Sequence, residues 1–148
     1  RIQDSTLIVR KLKPVDFVVC AAPVYWDQRG LPEHPDDLAD HDALTYSLLG
    51  SQAEWRFEID GQMQNVPVRS RMDATDAGPL VGLALQGLGA VCVPRLMVQQ
   101  HLDSGALVAT LHSYSPRDVW LYAAYTQRRH NSAALKALVA FLEMKWKE

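Results

Sequence analysis

Residues 76–105 read DAGPLVGLALQGLGAVCVPRLMVQQHLDSG, a helical pattern, a strand pattern and a second helical pattern in close succession. Leu80, Leu83, Ala84 and Gly87 recur at three- and four-residue spacing, which puts them on one face of a helix. Asp76 is its N-cap candidate, because a short acceptor side chain satisfies an N–H that the first helical turn leaves unpaired. Ala90-Val91-Cys92-Val93 then runs apolar without alternation, as a strand covered on both faces does. Pro94 opens a second helix holding Leu96, Met97 and Leu102, which Gly105 stops. Helices and buried strands alternating at this spacing predict an α/β protein, normally with a parallel sheet between helical layers. Gly87-Leu88-Gly89 is no dinucleotide fingerprint, since these glycines leave a helix and enter a strand, the reverse of the required order. They read as a C-cap and a close-packing device.

Upstream, Trp55-Arg56-Phe57-Glu58-Ile59 alternates apolar and polar residues, the mark of a strand with one wet face. Asp60-Gly61 follows, and both residues tolerate positive φ, so a tight hairpin turn is expected. The return strand runs through Val66 and Val68 to Met72, and Pro67 requires it to lie at a sheet edge or to turn the proline away from a partner. Asp42 to Ser47 is a further strand, and Phe17 to Ala22 is one covered on both faces. Pro23 heads a short helix through Val24, Tyr25 and Trp26 that Gly30 closes, and Pro35-Asp36-Asp37-Leu38 is a helical turn with acidic residues at its positive end. Thr6 to Val9 is a strand.

Downstream come a short strand in Ala106 to Leu111, a loop at Ser113 to Pro116, and the aromatic-rich strand Trp120 to Tyr125. The last helix carries Leu135, Leu138, Val139, Leu142 and Trp146 at helical spacing, capped by Asn131 or Ser132. That stripe packs inward on its own sheet, or a partner covers flanking residues such as Phe141 and Lys145.

Fifteen basic residues stand against seventeen acidic ones and are spread along the chain, which argues against nucleic-acid binding by this segment. No window approaches the about 20 apolar residues that cross a bilayer, so a soluble, cytoplasmic protein with no membrane partner is expected. Cys20 and Cys92 lie in apolar runs and read as reduced, buried small hydrophobes. The five histidines show no ligand spacing, so no metal site is expected, and His34 and His41 read as surface helix ends. Asp73 reads as a loop carboxylate. No nucleophile with a base, phosphate loop or cofactor motif is present, so the chain is expected not to be an enzyme. Thr75, Asp76 and Ala77 stand where a helix N-terminus offers N–H groups to a small ligand, although the Asp76 carboxylate competes for those donors. Arg1 in place of an initiator Met points to a piece of a longer protein.

Several runs together carry a family resemblance. They are Asp4 to Ile8, Val19 to Tyr25, His34 to His41, Glu54 to Phe57, Gly87 to Pro94, Gly105 to Val108 and Arg129 to Ala133. In order and spacing the chain resembles the C-terminal effector-binding region of a LysR-type transcriptional regulator. The resemblance implies a periplasmic-binding-protein-like (type 2) fold with a complete second lobe, about residues 22–115, and part of the first lobe in 1–21 and 116–148. The family's helix-turn-helix would lie upstream, outside this chain. What is implied is a domain that senses a small-molecule effector, self-associates as dimer or tetramer, and leaves operator DNA to the absent N-terminal domain. The alternative is a solute-binding protein of a transport system. The segment from Arg71 to Ala77 borders the family's effector cleft, which makes Thr75, Asp76, Ala77 and, in the loop before the first strand, Gln3 the effector candidates. A hydroxyl beside a carboxylate leaves a polar uncharged, a basic or an acidic effector open. Pro23, Val24, Pro116 and Trp120 are the implied hinge positions.

Overall fold

The computed structural model describes residues 7–46, 53–126 and 132–145. Its strands are β1 (Leu7–Pro14), β2 (Phe17–Ala21), β3 (Asp42–Tyr46), β4 (Glu54–Ile59), β5 (Gln62–Pro67), β6 (Arg69–Ala74), β7 (Ala90–Pro94), β8 (Val108–Thr110) and β9 (Trp120–Thr126). Its helices are α1 (Pro23–Arg29), α2 (Ala77–Leu85), α3 (Arg95–Asp103) and α4 (Ala133–Lys145), with a 3-10 turn at Pro35–Asp40. The chain divides into two compact units, Asp16–Arg117 and the remainder, Arg1–Val15 with Asp118–Glu148.

In the Asp16–Arg117 unit five strands form one sheet in the order β6-β3-β7-β2-β8. The sheet is mixed rather than parallel: β3 runs parallel to β6 and β7, whereas β2 is antiparallel to β7 and β8. Strands β6 and β7 are joined through helix α2, and such crossovers impose parallel direction. No such crossover joins β2 to β7, so the rule does not bind that pair. Strand β2 belongs to this unit because it is hydrogen-bonded between β7 and β8.

Both faces of this sheet are covered, which explains the unbroken apolar runs. On one face Val19, Ala21, Ala43 and Ala90 pack with Tyr25, Trp26, Leu38 and the hairpin residues Trp55, Phe57, Ile59 and Val66. On the other, Val18, Cys20, Leu44, Val91 and Val93 pack with Leu80, Val81 and Ala84 of α2 and Val98 of α3. Burying a side chain such as Leu80 or Phe57 contributes about 1.5–3 kcal/mol each. The register pairs Val19 with Cys92 and Cys20 with Val91. Directly opposed residues share a face and neighbours alternate, so Cys20 and Cys92 lie on opposite sides of the sheet and cannot be bridged.

The β4–β5 hairpin turns at Asp60 and Gly61, with φ of 53° and 73°, the backbone that a two-residue type I′ turn needs. Its return strand does not continue to Met72 as expected. The ladder ends at Pro67, which has no N–H to donate; Val68 N–H donates to the Ala53 carbonyl at 2.9 Å, and Arg69–Ala74 crosses to pair with β3. Asp73 is thus a strand residue, not a loop carboxylate.

Helix α2 begins at the Asp76 cap and is followed by Gly87 at φ 76°. Gly89 packs its backbone against β3: a Cβ there would lie 2.6 Å from the Asp42 carbonyl oxygen. Helix α3 holds Leu96, Met97 and Leu102 as expected, and of its residues it is Val98 that is buried while Leu96 and Met97 are exposed. Starting the helix at Arg95, after the Pro94 cap, turns Val98 toward the sheet. His41 is also corrected: it is buried rather than a surface helix end. The Tyr25 hydroxyl meets its Nδ1 at 3.2 Å and Trp26 packs edge-on against it, contacts made across the sequence. His34 does cap the 3-10 turn, accepting from Asp36 N–H.

In the other unit β1 and β9 form an antiparallel pair with a bulge between Lys11 and Lys13, and Lys11 Nζ sits 4.6 Å over the Trp120 ring. Ser132 caps α4, its Oγ accepting from Leu135 N–H. Leu135, Val139 and Leu142 are half-buried, but Leu138 of the expected stripe is exposed, as are Phe141 and Met144. Asn131 and Trp146 lie outside the described residues.

Candidate functional site

At its Tyr46 end, β3 lies beside the end of β6, where the chain turns through Thr75 and Asp76 into α2. Thr75 and Asp76 are exposed and Ala77 is half-buried. The Asp76 carboxylate accepts the Gly78 N–H at 3.0 Å, satisfying one orphan donor of the first turn. Pro79 has no N–H to offer. Of the first three helical positions, Ala77, Gly78 and Pro79, one donor is therefore taken and one does not exist. The usual attraction of a helix N-terminus for an anion is reduced further by the Asp76 charge itself.

Beneath this junction lies a polar cluster that no local sequence pattern marks. Thr45, which follows the buried Ala43 and Leu44 in β3, is only 3% exposed. Its hydroxyl donates to Asp73 Oδ1 at 2.8 Å and lies 2.6 Å from Ser70 Oγ and 3.2 Å from the Met72 carbonyl. A hydroxyl has one proton and two lone pairs, so with the proton on Asp73 the oxygen accepts from Ser70. The available signal was a threonine between Leu44 and Tyr46, but its partners lie 25 to 28 residues away. The edge thus presents the Thr75 hydroxyl between the Asp73 and Asp76 carboxylates along the chain. Such a set accepts hydrogen bonds and favours a neutral polar or cationic group.

The remaining candidates fall elsewhere. Gln3 lies outside the described residues. Pro23 and Val24 belong to α1, inside the Asp16–Arg117 unit, whereas Pro116 and Trp120 flank the Arg117–Asp118 step where one unit gives way to the other. At the corresponding step on the way in, Asp16 is held twice by Arg95, whose N–H reaches its carbonyl at 2.8 Å and whose Nε reaches its carboxylate at 2.5 Å. Burial pushes the Cys20 and Cys92 thiols up to about 12, against a small lowering of Cys20 by Arg95, so neither is a thiolate at neutral pH. Among the described residues no group of three or more His, Cys, Asp or Glu is gathered as a metal site, and no helix is long and apolar enough to cross a membrane.

Residues 1–147 match the family model described as the LysR substrate binding domain. The chain is 33% identical over 127 residues to the HTH-type transcriptional activator AaeR of Escherichia coli, covering 86% of this chain and 41% of that protein. An uncharacterized HTH-type transcriptional regulator of Haemophilus influenzae is 28% identical over 128 residues, 86% of this chain and 44% of its own length. Among solved structures, CrgA, a LysR-type transcriptional regulator from Neisseria meningitidis, superposes with a TM-score of 0.82 at 26% identity, over 100% of this chain and 50% of that one. Its regulatory domain alone gives 0.81 at 26% identity, over 99% and 72%. The chain therefore spans less than half the length of these two curated relatives. With a mixed α/β architecture divided into two units and a match over nearly its whole length, the chain belongs to the LysR substrate-binding domain family, with its two-lobe periplasmic-binding-protein-like fold.

Proposed function

We propose that this chain is the effector-sensing part of a LysR-type transcriptional regulator and that the β6–α2 junction receives a neutral polar or cationic group of the effector. The observation that carries the choice of chemistry is the Asp76 cap followed by Pro79, which removes two of the first three N–H donors and leaves the Thr75 hydroxyl beside a carboxylate. The named relatives are HTH-type regulators, which supports the regulatory reading over transport. Operator contact belongs to a helix-turn-helix in the parent protein, in keeping with a net charge of -2 and no basic tract in this segment.

The parent self-associates, and this chain supplies part of the interface. Leu138, Phe141 and Met144 of α4, together with Leu121 and Tyr122 of β9, expose apolar surface that a neighbour would cover. The pivot of effector response lies at the two chain crossings, Val15–Asp16 and Arg117–Asp118, with Pro116 and Trp120 beside the second; differential binding to two conformations shifts their populations. Of the hinge residues expected from the family, Pro23 and Val24 stand at the start of α1, further along the chain from the first crossing.

Native mass spectrometry of the intact parent tests this reading. The expected result is a homo-oligomer carrying a small molecule with a hydroxyl, amide or amine group. A monomer at micromolar concentration would remove the self-association, and a retained di- or tricarboxylate would remove the proposed effector chemistry.

A further inference from the structure

At the opposite end of the β3–β6 pair, about 13 Å along the strand from the effector junction, three arginines converge on one carboxylate. Arg69 Nη2 lies 2.6 Å from Asp42 Oδ1, and Arg29 Nη2 and Arg71 Nη1 lie 2.9 and 3.2 Å from Oδ2. Three positive charges face one negative charge. The Tyr25 hydroxyl accepts the Asp42 N–H at 2.8 Å, and burial holds the His41 imidazole below its ordinary value, so neither adds a charge at neutral pH. Exposed ion pairs contribute little to stability, so the second and third arginines are not explained by holding Asp42 in place.

The backbone is arranged to bring them together. The parallel register runs Asp42 with Arg69, Ala43 with Ser70, then Leu44 with Met72, which leaves Arg71 as the extra residue of a bulge. Bulges re-aim a side chain, and here the bulge turns Arg71 toward the carboxylate that Arg69 already holds. Strand β6 is at the sheet edge, so no neighbouring strand covers the cluster. The Asp42 side chain is 15% exposed, whereas those of Arg29, Arg69 and Arg71 are 41%, 55% and 56% exposed. The carboxylate thus lies beneath and the guanidinium forks stand above it. Each guanidinium carries five N–H donors, most of which remain after one bond to Asp42.

We propose that Arg29, Arg69 and Arg71 form a binding site for a phosphoryl or similar dianionic oxyanion, seated over Asp42 and separate from the effector junction. The charge of a dianion balances the excess of two positive charges, and guanidinium forks match tetrahedral oxyanions. Asp42 keeps the three forks in place before the anion arrives.

The test is thermal unfolding of the intact protein titrated with inorganic phosphate and with sulfate, using chloride to hold ionic strength constant. Both dianions should raise Tm saturably. Arg69→Gln and Arg71→Gln should each weaken the midpoint about tenfold, the scale of one charge-assisted hydrogen bond, and Arg71→Lys should recover part of the loss. Phenyl phosphate binding more tightly than inorganic phosphate identifies a phosphomonoester as the occupant, and the reverse order identifies the free anion. A rise in Tm that chloride reproduces at equal ionic strength, or midpoints unchanged in both glutamine variants, would overturn the proposal.

Discussion

Replacing Thr45 by Val tests whether the buried hydroxyl organises the strand that carries the effector junction. The two side chains are nearly isosteric, so the change removes an oxygen without opening a cavity. It forfeits a hydrogen bond to the Asp73 carboxylate, about 1.5–3 kcal/mol for a charged partner, and one with Ser70, about 0.5–1.5 kcal/mol. Asp73 and Ser70 are both exposed, so each can turn to water, which places the loss at the low end of these ranges. The added methyl returns about 0.8 kcal/mol. The net expectation is a destabilisation of about 1–2 kcal/mol, read as a lower urea midpoint at unchanged slope. Thr45→Ser keeps the oxygen and loses only the methyl, about 0.8 kcal/mol. A Thr45→Val protein at least as stable as the wild type would refute the assigned role.

Glycine replacements should act in opposite directions. Gly89→Ala drives a methyl into the Asp42 carbonyl and should cost about 1–3 kcal/mol, while Gly82→Ala meets nothing within 4 Å inside α2 and should gain about 1 kcal/mol; urea denaturation reads both. The His41 imidazole is held below its ordinary value of 6.5 by burial and by Arg29, against the opposing pull of Asp40, Asp37 and Asp42. Its contribution to stability is therefore complete above about pH 6.5 and declines below it, as the unfolded chain takes up the proton first. Urea midpoints measured from about pH 7.5 to 5 should show a slope that His41→Phe flattens; an unchanged slope would contradict the burial argument. Cys20 should resist a thiol reagent until the protein unfolds, and Cys20 and Cys92 should yield no intramolecular disulfide on oxidation. Rapid native labelling of Cys20 would contradict its burial.

Legibility in the sequence followed the range of the interactions. The apolar run Phe17 to Ala21, the Asp60-Gly61 turn and the Asp76 cap are local, and each forms as its residues predict. The antiparallel direction of β2 against β7 is not written in either strand, since a run covered on both faces looks alike in both directions. The break between β5 and β6 depended on which partner Arg69–Ala74 would find, and the helical pattern of α3 did not by itself select Val98 over Leu96. His41 is buried because Tyr25 lies beside it in space, sixteen residues away in the chain. At the candidate site Thr75 and Asp76 were legible as a helix start, whereas Thr45 and the three arginines on Asp42 required strands β3 and β6 to be placed side by side.

The central claim is that the β6–α2 junction receives the effector through acceptors rather than through helix N–H groups. Its most direct test is calorimetric titration of the intact regulator with the small molecule recovered from it, comparing wild type, Thr75→Ala and Asp76→Asn. Thr75→Ala should weaken binding by about 0.5–1.5 kcal/mol, one net hydrogen bond, and Asp76→Asn should weaken a cationic effector by more. Unchanged affinity in both variants with folding intact, or tighter binding of an acidic effector by wild type than by Asp76→Asn, would contradict the claim.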